Sequence, residues 1–542
     1  MVAALNKYLR RELDVWSLPT VLLGLLLLVP LFTVALGLGD TGPKWDHLKS
    51  TVLSGYVFNT LLLVILVTTL ATLFAVPAAW VISVFEFPGH RVFAWVLILP
   101  LAIPTYVSAF VYFQFTEAAI PLLVKIRNVW GVEVFQGAEI ALRYGLLTIL
   151  MASVLYPYIY ISARASFSQQ RQRLIEAAHT LGHGLWSVFF SVALPLARPA
   201  LVGGGSLVVM EVINDYGAVH FFGVPTLTEG IFRTWFGLGD LSSALRLAGL
   251  IMLVVFTILF FERAERGRAR YADPGHRSKT RTLRKLSGLQ GALAAGLCLI
   301  PLTLGFLFPT GQLVIWAYRS WGKVFRTEFA MHLANSFMLA IVAALVLTFI
   351  ALLFSYSVKL HPVRWLKSVT AISALGYSAP GAVVAVGVMV VIGSLDRMIA
   401  SVGDGAFMLS GSLLVIGFAY CVRFLAVSLQ PVNGGMSRIC GSLDEASRSL
   451  GRGKLATLWH INIPLLRGTL VAAFTLVFVD ILKELPLTMI LRPANFETMA
   501  TTAFSLAKEG RIHECAVPSL ILLAAGGLGL VTIHRLILTP QR

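Results

Sequence analysis

Four carboxylates sit where the chain offers them almost no polar company. Glu211 and Asp215 lie in MEVINDYGAVHFFG, Asp480 and Glu484 in VDILKELPLT. Each pair is spaced i, i+4, so in a helix both acids share one face. An offset of 269 positions maps Glu211 onto Asp480 and Asp215 onto Glu484. An ionised group at the centre of a bilayer costs roughly 2.5–3.5 kcal/mol even on the gentlest insertion scale, and such groups face a cavity or a partner. Two acidic pairs at equivalent places describe a ring that would attract a cation. Hard oxygen ligands suit a hard cation, an argument that extends to Fe(III) with Tyr216 as a phenolate neighbour. The competing reading is structural: Lys483 stands three residues after Asp480 and one before Glu484, so local pairing neutralises part of the second cluster and polar bonds tie the halves together. Both readings stay open on the residues alone.

The elements that must hold these acids are apolar helices. Hydrophobic residues make up 57% of the 542, charged ones 13%, and the mean hydropathy is +0.82, far from the roughly 25% charged residues of soluble domains. The chain is expected to be an all-α polytopic membrane protein. A bilayer core of about 30 Å asks for roughly 20 apolar residues per helix, and twelve candidate spans follow: 16–38, 57–85, 92–113, 143–163, 200–222, 243–261, 289–308, 333–357, 368–394, 407–429, 468–490 and 516–537. The first is too long and too poorly followed by small residues for a signal peptide, and is expected to remain as an anchor.

A break separates the spans into two sixes. ERAERGRARYADPGHRSKTRTLRKL carries nine Lys or Arg between Arg263 and Lys285 around a Pro-Gly turn, the composition of a solvated linker. The expected organisation is a first six-helix domain over 1–261, a basic linker over 262–288 and a second six-helix domain over 289–542. Six spans precede the linker, so the second half re-enters with the orientation of the first and the repeats are parallel. FNTLLL at Phe58 beside ANSFML at Ala334, and Pro104 beside Pro380, support the duplication. With both termini and the linker inside, about twice as many Lys and Arg fall inside as outside, in accord with the positive-inside rule. The net charge of +17 therefore reads as topology signal and lipid contact, with no nucleic acid partner. Cys298, Cys421, Cys440 and Cys515 are scattered, without the spacing of a zinc site or a disulfide framework.

Two polar, glycine-broken segments repeat at the same 269 offset: EAAHTLGHGLWSVFFSVALP from Glu176 and EASRSLGRGKLATLWHINIP from Glu445. A carboxylate near a helix amino end offsets the dipole there. Leu-Gly then stops the first short helix, because glycine accepts a left-handed turn, and Pro195 and Pro464 mark the approach to the next span. Each copy predicts a short helix on the inner face, held between two spans and able to transmit force. No G-x-x-x-x-G-K-[ST] occurs in the sequence, so ATP is not bound by that route.

The spacing E-A-A-x3-G-x9-V-x-L-P, matched by E-A-S-x3-G-x9-I-x-I-P, resembles the EAA loop of binding-protein-dependent ABC import permeases. The six-plus-six chain as a whole is similar to the fused twelve-helix ferric iron, thiamine and phosphonate importers of that group, and NDYGAVHFFGVPTLTEGIFRTWFGLGD, 214–240, looks like the ferric iron permeases. The resemblance implies a type I importer permease of the bacterial inner membrane that performs no covalent chemistry and binds no cofactor, with ATP-Mg held by two copies of a separate ATPase. It assigns ATPase coupling to Glu176, Ala177, Ala178 and Gly182 and to Glu445, Ala446 and Gly451. Ser447 departs from the pattern where alanine is usual. It further implies a periplasmic binding protein meeting the outer loops 223–242 and 491–515. The substrate pathway is then expected at Glu211, Asp215, Tyr216, Asp480 and Glu484, with no permanent metal and transient Fe(III) at Glu211 and Asp480. Thiamine or another small cation, or a phosphonate, is the alternative cargo. A proton-coupled secondary transporter is the alternative class, and it leaves the duplicated loop unexplained.

Overall fold

The structure is a computed structural model and describes residues 15–39, 42–180, 184–268, 283–324, 327–402 and 408–538, without the side chains of 169–180, 185, 263–268, 327, 402, 533, 534 and 536–538. It is all-helical apart from one two-residue parallel pair. The helices that frame the molecule, in chain order, are α1 Ser17–Leu36, α2 Leu53–Val84, α3 Thr105–Ala118, α4 Val132–Thr180, α5 Arg198–Asn214, α6 Leu241–Arg268, α7 Gly288–Leu302 (continued past a wide turn by Phe308–Val324), α8 Thr327–Leu360, α9 Gly381–Val402, α10 Leu413–Met436, α11 Ile463–Lys483 and α12 Ala516–Leu538.

Twelve continuous spans were expected, and the described residues depart from that in the third, fifth, ninth and eleventh, the ninth being split into Arg364–Ser373 and Gly381–Val402 before Pro380 and Gly381. Nine helices are long and apolar enough to cross a membrane, and eleven if two sharply bent pairs each count as one. The third span breaks by 88° between His90–Ala102 and Thr105–Ala118, and the approach to the fifth bends by 67° between Trp186–Leu196 and Arg198–Asn214, just before its expected start at 200. Proline accounts for both: Pro104 at the N-cap of Thr105–Ala118 and Pro199 in the first turn of Arg198–Asn214 lack the N–H a continuing helix needs, and their rings clash with the preceding turn. The twelfth span stands where it was expected, as the helix Ala516–Leu538. The spans expected at 200–222 and 468–490 also end early, at Asn214 and Lys483, each followed by a short new helix, Gly217–Phe221 and Pro486–Leu491.

The leading helix of each half lies against the other half. α1 packs on α9 and on the helix Arg364–Ser373, where Ser373 donates to the Gly24 carbonyl at 3.2 Å. In return α7 and the wide turn 303–307 that follows it pack on α2 and α4. Tyr112 donates to the Leu304 carbonyl at 2.8 Å, and a Cβ on Gly305 would stand 2.0 Å from the Ser153 carbonyl oxygen. Lipid tails give helices no hydrophobic reason to associate, so close backbone approach at small residues carries the packing. Gly305 permits that approach and any side chain would prise α7 away.

On the face where α1 begins, α2 and α8 both end. Trp16 meets the Tyr356 ring edge-on at 5.0 Å. The strand Phe85–Glu86, at the end of α2, pairs in parallel with Arg284–Lys285, so the far end of the basic linker is tied to the first half just before α7 starts.

Candidate functional site

The second repeated segment forms a discrete lever. Gly441–Ser449 is a nine-residue helix standing clear of α10. It ends at Leu450, and Gly451 takes φ 79°, the left-handed conformation a helix stop requires. Asp444 and Ser447 turn inward, while Glu445, Ala446, Leu450 and Gly451 face outward. The inward residues are pinned. Lys359, at the end of α8, reaches Asp444 at 2.8 Å and donates to the Asn462 side-chain oxygen at 2.8 Å. Asn462 donates back to Asp444 at 3.2 Å. Ser447 bonds Thr457 at 2.8 Å, and Tyr356 donates to the Lys454 carbonyl at 2.7 Å. A displacement of the outward face is thus passed to α8 and to the root of α11 through buried polar bonds. Asp444, Lys359 and Asn462 escaped the sequence reading; the signal was a lysine at the very end of an apolar run.

The first copy is built differently. α4 runs without interruption from its span through Glu176, Ala177 and Ala178 to Thr180, where a separate short helix was expected. Between Pro157 and Gly182 there is no glycine or proline to stop it, whereas Gly434, Gly435 and Gly441 punctuate the second copy. The side chains of Glu176, Ala177 and Ala178, and Gly182 altogether, lie outside the described residues. After each segment the chain widens into a π-turn, Phe189–Ala193 and Leu458–Asn462, again 269 apart. Pro195 and Pro464 follow two residues later, and a wide turn absorbs the carbonyls that proline cannot satisfy.

The intramembrane acids divide into two kinds. Asp215 and Glu484 are caps at helix breaks. Asp215 accepts from the Ala218 N–H at 2.8 Å and from the Thr105 hydroxyl; Glu484 accepts from the Leu487 N–H at 3.1 Å and faces Arg423 at 3.4 Å. Each carboxylate satisfies an orphan N–H where α5 or α11 stops and a new short helix begins. Gly381 fits between them: its N–H donates to Asn214 at 2.9 Å, and a Cβ there would meet Arg423 at 2.2 Å and Glu484 at 2.6 Å. Tyr216 is buried and stacks on Phe232 with centroids 3.6 Å apart.

Glu211 and Asp480 are less committed. Asp480 is 29% exposed and meets Lys483 at 3.6 Å, while Lys483 also donates to the Leu101 carbonyl of the other half at 3.4 Å. Glu211 lies within electrostatic reach of Asp480, Arg423 and Lys483, with Tyr158 against its carboxylate and Tyr377 near by. Among the described residues no three of His, Cys, Asp and Glu come together as a metal would require. The centre is a mixed-charge seam between the halves, two acids and two bases with tyrosine walls.

The pairing of FNTLLL with ANSFML acquires a physical reason on the face opposite the lever. Asn59 donates to the Pro225 carbonyl at 2.9 Å and Asn335 to the Glu497 carbonyl at 3.3 Å. Thr60 accepts the Leu227 N–H at 3.0 Å, and Ser336 the Met499 N–H at 2.6 Å. Each dipeptide holds the start of a helix, Leu227–Phe232 or Met499–Lys508.

The described residues thus combine broken membrane helices in two pseudo-equivalent halves, a mixed-charge seam between them and a pinned lever on one face. Residues 71–262, in the first half, match the family of binding-protein-dependent transport system inner membrane components. The chain is 23% identical over 521 residues to the Fe(3+)-transport system permease protein FbpB 2 of Haemophilus influenzae, covering 94% of this chain and 96% of that protein. It is 24% identical to the ferric transport system permease protein FbpB of Actinobacillus pleuropneumoniae, over 67% of this chain and 54% of that protein. The molybdenum transport system permease protein ModB of Escherichia coli is 29% identical, and 39% of this chain covers 94% of it. Part of this chain thus spans nearly the whole of such a relative. Among solved structures, a bacterial alginate ABC transporter in complex with alginate pentasaccharide-bound periplasmic protein is similar, at 16% identity and a TM-score of 0.37, over 45% of this chain and 92% of that one.

Proposed function

We propose that this chain is a binding-protein-dependent ABC permease that carries ferric iron across the bacterial inner membrane into the cytoplasm, by alternating access powered by a separate ATPase. The observation that carries the proposal is the lever at 441–451: an exposed nine-residue helix bonded through Asp444 to α8 and through Asn462 to the root of α11. Two ATPase copies, holding ATP-Mg, close on this helix and on its counterpart around Glu176. The contact surface is Glu445, Ala446 and Gly451 with Glu176, Ala177, Ala178 and Gly182. Their closure rocks the halves about the seam and opens it outward, and hydrolysis resets it. Both termini are cytoplasmic in this arrangement, and a periplasmic binding protein delivers the ion to the opposite face.

Iron as cargo is supported by the names of two relatives, one of them matched along nearly its whole length. Glu211 and Asp480, the two acids with the fewest bonds, are the groups the ion passes. Asp215, Tyr216 and Glu484 shape the pathway by holding the helix breaks open. The test is uptake of radiolabelled iron into vesicles containing the permease, its ATPase and its binding protein. ATP-dependent uptake that is lost in the Glu211→Ala variant supports the reading; thiamine uptake in place of iron overturns the cargo, and uptake without ATP overturns the class.

A second cargo has its own observation. Arg423 and Lys483 stand in the same seam, and other relatives carry the names of sulfate, molybdenum and 2-aminoethylphosphonate permeases. Guanidinium and ammonium groups bind oxyanions. In the same vesicles, uptake of an oxyanion with no iron uptake would favour this reading.

A further inference from the structure

The geometry points to a receiving site for a hard trivalent cation on the face opposite the lever, built by Glu229 with His220, Tyr216 and Tyr56 and occupied in its resting state by the guanidinium of Arg233. This inference rests on the proposed cargo and adds to it a place and a displacement step.

Glu229 is the anchor. It lies in the first turn of Leu227–Phe232, is 5% exposed, and one carboxylate oxygen, Oε2, is buried with no hydrogen-bond partner. A buried, half-satisfied carboxylate is costly unless something of opposite charge pairs with it. Oε1 has two basic neighbours, Arg233 at 3.1 Å and His220 Nδ1 at 3.7 Å. Two phenol rings stand beside the residues that surround this carboxylate. Tyr216 stacks on His220 with ring centroids 5.1 Å apart, which puts its ring beside the imidazole that faces Glu229. Tyr56 meets Arg233 through its side chain and packs on Gly230, where a Cβ would stand 2.7 Å from its ring. Carboxylate, imidazole and phenolate together form a donor set for a hard, highly charged metal ion.

Arg233 makes the site a relay rather than a trap. Its side chain is 57% exposed against 7% for Glu229, so the guanidinium leaves toward solvent without unfolding anything. A trivalent ion outbids a single positive charge at the same carboxylate. On arrival it displaces Arg233 to water, takes the vacant Oε2, and any phenol that ligates gives up its proton to water. No electron moves. The returning guanidinium later competes for the same oxygens and lowers the barrier to release. The site also senses the state of the permease. Tyr216 and His220 both lie 5.9 Å from the ring of Phe504, which belongs to the second half, so rocking of the halves changes the wall of the site.

The experiment uses the purified full-length chain in lipid nanodiscs and ferric nitrilotriacetate as probe. Phenolate bound to Fe(III) gives a visible charge-transfer band. The inference expects that band in the natural protein, its loss in Glu229→Gln, and tighter ferric binding in Arg233→Ala, because the resident cation is gone. A purely structural ion pair would give the reverse for Arg233→Ala, with a less stable chain and no gain in binding. Absence of the band in the natural protein, or its persistence in Glu229→Gln, overturns the inference. Iron uptake by the assembled transporter is measured separately. Normal uptake by Glu229→Gln sinks the receiving site and spares the cargo, while a band without uptake sinks the cargo and spares the site.

Discussion

Removing Asp444 should disconnect the lever while leaving the membrane body intact. Asp444 and Lys359 are 7% and 14% exposed at 2.8 Å, so solvent screens them little. Breaking a buried pair by deleting one partner costs about 3–5 kcal/mol, because the remaining charge is stranded. Here Lys359 keeps Asn462 as an acceptor, which places Asp444→Ala near the lower end, about 3 kcal/mol. At 1.4 kcal/mol per tenfold, the undocked state of the helix rises about a hundredfold in population. The assay is hydrogen exchange of the amides of 441–451 in nanodiscs, together with ATP-driven uptake in vesicles. Exchange in this segment is expected to accelerate by that factor while α10 and α11 stay protected, and uptake is expected to fall. The Lys359→Met/Asp444→Leu double variant should regain much of the protection, since apolar replacement of a buried pair is often near neutral. Unchanged exchange in Asp444→Ala would refute the reasoning, because the lever would then be held by something other than these bonds.

Glu484→Ala is expected to destabilise the chain more than Asp215→Ala. Both lose a helix cap worth about 1 kcal/mol, but only the former strands Arg423, two of whose nitrogens already lack partners; thermal unfolding of the two variants in detergent compares them. At Gly451 an added Cβ meets nothing within 4 Å, so Gly451→Ala should cost only the left-handed φ, roughly 1 kcal/mol, and Gly451→Asn less, both read as shifts in Tm. Asp240 joins the loop at 42–45 to the start of α6. Burial pushes its carboxyl up, but bonds from the Ser243 hydroxyl and from backbone N–H groups, including Lys44 at 3.0 Å, outweigh burial and hold it below the usual range. Its contribution is therefore present above the unfolded value near 4 and lost as pH falls through the folded value. Asp240→Asn should lower Tm at pH 7, and the gap from the natural protein should close at lower pH.

Much of the body was legible in the linear chain because hydrophobic transfer is nearly local: each apolar run announces a helix whatever it later touches. The 269 offset likewise announced the repeated glycine-broken segments and the paired acids; that only the second segment forms a separate helix was not announced. The breaks at Asn214 and Lys483 were not legible, since an apolar run reads the same whether the helix continues or stops. What stops it is a cap, and the Asp215 cap is completed by Thr105, more than a hundred residues away.

By itself the sequence determined an all-helical membrane chain, its doubling, and the segments that stand outside the apolar runs. Only the tertiary structure decided what each buried charge is for. Asp215 and Glu484 became caps, Asp444 a pin, and Glu229 a carboxylate with a spare oxygen, because each role is fixed by the group that folding brings alongside it. A charge in an apolar surrounding has no preferred state until its partner arrives, and that partner comes from another helix.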